Sequence, residues 1–120
     1  MRRGPAVTLT AVAFAVALSA SGCSHTKTGM DVEMVNYTYK PVHVSITAGE
    51  SVTFHNGTQV THNFTLLKGG SVTFDVQPGS SMSTTDLGTL KPGTYPFECK
   101  YHFKQGMVGV LTVTAGSGSP

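Results

Sequence analysis

Alternation of apolar and polar residues dominates the chain between residues 31 and 114. Val42, Val44 and Ile46 alternate with His43, Ser45 and Thr47. Val52 and Phe54 alternate with Thr53 and His55, and Val72, Phe74 and Val76 with Thr73 and Asp75. Successive side chains of a strand point to opposite faces, so a period of two in β-branched and aromatic residues predicts half-buried strands. Turn signals separate them: "AGE" at 48–50, "NG" at 56–57, "KGG" at 68–70, "PGS" at 78–80 and "KPGT" at 91–94. No stretch carries a helical period. Short strands with turns at this spacing predict an all-β fold, a two-sheet antiparallel β-sandwich.

The same parity locates chemistry. In "YPFEC", Tyr95, Phe97 and Cys99 share one face, opposite Pro96 and Glu98. In "HNFTL", His62 shares a face with Phe64 and Leu66, opposite Asn63 and Thr65. Cys99 and His62 are therefore expected to point into the apolar interior, one ending a strand and the other starting one.

The chain's start reads differently. Arg2 and Arg3 precede an apolar run from Ala6 to Leu18, and small residues lead to Cys23. That is the anatomy of an export signal, expected over residues 1–22. Small residues before a cysteine resemble the lipobox of bacterial lipoproteins, with Ala20 where leucine is commonest. The resemblance implies cleavage before Cys23 and lipidation of its sulfur; an ordinary secretory signal cut nearby is the other reading. Residues 23–30 then form a polar tether, residues 31–115 one domain with a single core, and residues 116–120 a flexible tail.

Removing the leader changes the charge. The eight basic residues include both arginines of the leader, so six lysines remain against six carboxylates. A neutral mature chain gives no support for nucleic-acid binding. It also changes the cysteine count. Two cysteines in an exported protein ordinarily mean one disulfide. With Cys23 lipidated, Cys99 has no partner, and a lone thiol in an oxidising compartment is a liability unless buried or coordinated.

Coordination fits the spacing. Cys99, His102 and Met107 follow one another as C-x2-H-x4-M, and a short loop leaving the strand at Cys99 can return both later side chains to the thiolate. With His62 the set is one thiolate, two imidazoles and a thioether, the ligands of a mononuclear blue copper site. Zinc more often takes further cysteines or histidines, and methionine suits it poorly. Singly, each residue has a structural explanation, as a satisfied interior histidine, a small buried hydrophobe or a gap-filling methionine. Together, in this order and parity, they favour a metal. His43 and His55 fall on the polar face and His25 in the tether, so all three read as bystanders. Tyr37 and Tyr39 read as core or edge aromatics, and Lys68, Lys100 and Lys104 as solvated surface.

These residues resemble those of the cupredoxins, with the ligand spacing of plastocyanin and pseudoazurin. "NYTYKPVHVSITAGESVTFHN" is similar to the family's first strands, "THNF" to its first-histidine segment, and "PGTYPFEC" and "GMVGVLTV" to its last two strands. The resemblance implies a Greek-key β-sandwich holding one copper ion at His62, Cys99, His102 and Met107. It implies that Asn63 gives its N–H to the Cys99 sulfur and ties the ligand loops together. Gly106 and Gly109 would let the backbone turn closely around the metal. Many members carry proline at the position of Tyr101; an N–H there would give the sulfur a second donor and raise the reduction potential.

The function expected is electron transfer rather than catalysis, because four protein ligands leave no open position for a substrate. The carrier would sit lipid-anchored on the outer side of the cell membrane, as a monomer, exchanging electrons with redox partner proteins of the envelope. Copper delivery or resistance by the same ligands is the rival. Glu98 and Lys100 flank Cys99, so the His-Cys-His signature of multicopper oxidases is absent.

Overall fold

A computed structural model of the chain describes Gly4 and residues 29–116. Apart from Gly4, the signal segment lies outside the described residues, as do Cys23, His25 and the last residues of the tail.

Strands β1 (Gly29–Val35), β2 (Thr38–Lys40), β4 (Ser51–Asn56) and β7 (Ser81–Thr84) form a four-stranded sheet in the order β2-β1-β4-β7. Strands β3 (His43–Thr47), β5 (His62–Leu66), β6 (Thr73–Val76), β8 (Gly93–Glu98) and β9 (Val108–Thr114) form the second, in the order β3-β9-β8-β5-β6. The expected two-sheet sandwich is present, but its sheets are mixed: β1 runs parallel to β4, and β3 parallel to β9. Parallel neighbours need a crossover instead of a hairpin. The chain supplies one by passing to β3 in the other sheet before returning as β4.

One boundary differs from the expectation, and one strand lies outside it. Strand β1 starts at Gly29, inside the expected tether of residues 23–30, where Gly29 pairs with Ser51. Strand β7 carries no apolar alternation because it lies at a sheet edge, with Ser81, Met82 and Ser83 exposed and only β4 beside it.

Alternate residues of both sheets meet in the core, among them Val32, Met34, Val44, Ile46, Val52, Leu111 and Val113, all buried. Aromatic rings run through it. Phe54 lies 5.0 Å from Phe64, Phe64 4.8 Å from Phe97, and Phe97 4.9 Å from Tyr39, centroid to centroid. Each such ring contributes about 1.5–3 kcal/mol on burial. Phe64 follows His62 on the same strand face, and Phe97 precedes Cys99 likewise, so core packing fixes the strand ends that carry both. Gly109 serves this core: a Cβ there would strike the Phe97 ring and the Val42 carbonyl.

Candidate metal centre

Three segments converge at one end of the sandwich. His62 opens β5, Cys99 follows β8, and His102 lies in the loop that leads to β9. One ligand atom from each of His62, Cys99 and His102 lies within 4.8 Å of the others. Cys99 Sγ is 3.4 Å from His102 Nδ1, and the two imidazole centroids are 5.0 Å apart.

The backbone makes this convergence. The His102 N–H donates to the Cys99 carbonyl at 3.1 Å, closing a turn directly after the cysteine. Gly106, with φ 90°, takes the left-handed conformation that ends the next turn, which glycine adopts without steric cost. The chain then returns: the Met107 N–H donates to the His102 carbonyl at 3.2 Å, and the Cys99 N–H to the Met107 carbonyl at 3.0 Å. Met107 is fully buried and bound through its main chain to both neighbours.

His62 arrives by a different device. The buried side chain of Asn56 donates to the carbonyls of Val60 and Val76, both at 2.8 Å. Its Oδ1 accepts from the Thr58 N–H at 3.0 Å and the Thr58 hydroxyl at 2.6 Å. One amide thus shapes the loop that delivers the histidine. The "NG" at 56–57 signals a turn; the self-bonding Asn-x-Thr within it is the sequence sign of this role.

His62 is completely buried, and neither of its ring nitrogens has a hydrogen-bond partner among the described residues. Buried polar atoms are almost always partnered, and an orphan costs about 1–3 kcal/mol. Burial first, and the neighbouring His102 second, push its pKa below the usual histidine value. An imidazole kept neutral, lacking a partner and facing a thiol and a second imidazole is what a soft transition metal requires. Cys99 is likewise buried and, among the described residues, in no disulfide. The donor set present fits copper.

Asn63 departs from the strand alternation. It was expected on the face opposite His62, yet it is fully buried beneath a polar cover. Its Oδ1 accepts the Lys100 N–H at 3.3 Å, which ties the first-histidine strand to the cysteine loop. The Tyr39 hydroxyl donates to its carbonyl at 2.6 Å. Burial first, then negative charge at Cys99 and Glu98, hold that phenol well above its usual pKa. Tyr101 is engaged through its phenol, which donates to Asp75 Oδ2 at 2.7 Å.

Toward solvent, His102 is half-buried, and the Tyr37 ring lies 4.9 Å from its imidazole. Tyr37 is exposed and has φ 56°, a conformation uncommon outside glycine, in the turn between β1 and β2. Sequence parity gave no sign of this contact. His43 is exposed as expected, while His55 is partnered by Asp31 and Ser81.

Residues 6–113 match the family model described as a cupredoxin-like domain. The chain is 37% identical over 87 residues to a chloroplastic plastocyanin of Physcomitrium patens, covering 63% of this chain and 50% of that protein. It is 39% identical over 84 residues to a plastocyanin of Prochlorothrix hollandica, covering 62% of each. The chain thus spans less than two thirds of the length of either relative. Among solved structures, reduced auracyanin from the photosynthetic bacterium Roseiflexus castenholzii superposes with a TM-score of 0.59 at 25% identity. That match covers 72% of this chain and 97% of auracyanin.

Proposed function

The chain belongs to the cupredoxin-like family, and from that premise we propose that it is a blue copper electron carrier. The observation that carries the reading is His62, buried beside Cys99 and His102 with neither nitrogen partnered among the described residues. Cys99, His62 and His102 would hold the ion as a thiolate and two imidazoles, with Met107 as the weak fourth ligand. Bound there, copper supplies a one-electron Cu(II)/Cu(I) couple.

The remaining work belongs to the chain. The turns at Cys99 and Gly106 and the aromatic core hold the ligands in place, so little would have to move when the charge changes. A complete set of protein ligands keeps substrate and water from the centre, which favours a carrier over an enzyme. His102 reaches furthest toward solvent, and its ring with that of Tyr37 gives an electron the shortest way out.

The proposal extends to the protein's setting. The leader over residues 1–22, followed directly by Cys23, supports export and a lipid anchor on the outer side of the cell membrane. A monomer there would meet redox partner proteins through a small, brief interface of the kind typical for electron transfer. Copper delivery would use the same ligands, so kinetics separate the two. Rapid electron self-exchange, with copper retained against a chelator, is the result expected of a carrier. Slow exchange with ready release to the chelator would overturn it in favour of delivery.

A further inference from the structure

Asp75 lies on β6, the edge strand of the five-stranded sheet, and supplies no ligand atom. Its carboxylate nevertheless joins both ligand segments. Oδ1 accepts from the Asn63 side-chain amide at 2.8 Å and lies 3.7 Å from Lys100 Nζ; Oδ2 accepts from the Tyr101 hydroxyl at 2.7 Å. Asn63 adjoins His62. Lys100 and Tyr101 are the two residues between Cys99 and His102. Asp75 pairs directly with Asn63 across the β5–β6 ladder, so its backbone is fixed relative to the first histidine.

The loop at 100–101 has few other restraints from the rest of the fold. Lys100 and Tyr101 are exposed, and the Lys100 N–H on Asn63 Oδ1 is long at 3.3 Å. Lys100 Nζ also lies 5.0 Å from the Tyr101 ring centroid, so the two loop side chains approach the carboxylate as one unit. A carboxylate that accepts from both a neutral phenol and an amide, with a cation beside it, makes charge-assisted bonds stronger than neutral ones.

We propose that Asp75 is a positioning residue for the copper centre. It acts as a latch that closes the Cys99–His102 loop onto the first-histidine strand, through Tyr101 on one side and Asn63 on the other. The latch acts on ligand geometry and not on charge alone. This deepens the copper reading and rests on it for the spectroscopic measurements; the behaviour of the loop without metal does not depend on it.

The test compares Tyr101→Phe, Asp75→Asn and the double variant in the full chain. Tyr101→Phe removes one hydrogen bond and keeps the negative charge, so it separates positioning from electrostatics. In the metal-free chain, amide hydrogen exchange at residues 100–102 should quicken about fivefold to tenfold in each single variant, in line with losing one charge-assisted bond. The double variant should be no faster than the faster single, because both break one latch. In the copper-loaded chain, both single variants should change the copper hyperfine splitting and the thiolate absorption. A potential shift in Asp75→Asn alone, with Tyr101→Phe matching the parent in exchange and spectra, would overturn the latch and leave only a charge effect. Unchanged exchange and spectra in both would also overturn it. Should Asp75→Asn fail to fold, Tyr101→Phe decides alone. A chain that takes up no copper refutes the carrier reading, and the exchange measurement still decides the latch.

Discussion

The outer face of the four-stranded sheet and the ligand end of the five-stranded sheet each hold a histidine, and the fold treats the two in opposite ways. His55 is partly exposed, and both its nitrogens are engaged, Nδ1 by the Ser81 hydroxyl at 2.8 Å and Nε2 by Asp31 at 3.0 Å. His62 has no exposure and, among the described residues, no partner for either nitrogen. The more deeply buried imidazole is the less satisfied one, the reverse of the ordinary relation between burial and hydrogen bonding. A site reserved for a ligand differs from structural polarity in this respect: its groups are fixed in place and left without partners.

Four experiments break or sharpen the contrast. Replacing His62 by leucine should reduce copper affinity by more than the roughly 100-fold that loss of a supporting residue costs. His55→Leu should leave that affinity unchanged, as read by competition with a chelator of known strength. The same pair should diverge in the metal-free chain. There, His62→Leu removes a buried orphan and should stabilise by about 1–3 kcal/mol. His55→Leu discards two hydrogen bonds near the surface and should destabilise by about 0.5–1 kcal/mol. Urea titrations of both variants give the comparison, and stabilisation by both would remove the distinction drawn here.

A smaller effect is expected at Tyr39, whose hydroxyl bonds the Asn63 carbonyl inside the core. Tyr39→Phe should cost about 1 kcal/mol in urea denaturation. The smallest effect comes from acid. Hydrogen bonds from Tyr101 and then Asn63 hold the Asp75 carboxyl below the usual aspartate range. A lowered folded pKa means that the unfolded chain binds the proton more readily. The stability Asp75 contributes is therefore present above the unfolded value and fades as the pH falls below about 4 toward the folded one. Denaturation midpoints across that range should slope less in Asp75→Asn and in Tyr101→Phe than in the parent.

Much of this was legible in the sequence, for a definite reason. Wherever one face of a strand meets the core, period-two alternation must appear. It correctly put Val44 with Ile46, Val52 with Phe54, and His62 and Cys99 on the buried side. Strand β7 was not legible because an exposed edge imposes no apolar pattern. The parallel pairings were hidden too, since alternation reports faces and not partners. Asn63 broke the parity rule because the side chains of Asp75, Thr65 and Thr73 and the Lys100 backbone cover and satisfy its amide. Local pattern carries no trace of such long-range contacts. The same holds for Tyr37 on His102 and for the latch at Asp75, which depend on segments meeting across the fold.

The central claim is that His62, Cys99 and His102 are arranged to take one copper ion. Cu(II) added to the purified chain tests it most directly. The account predicts one ion bound per chain and an intense blue thiolate-to-copper absorption, lost in Cys99→Ser. A folded chain that stays colourless with copper in excess, or one that keeps the colour after Cys99→Ser, would contradict it.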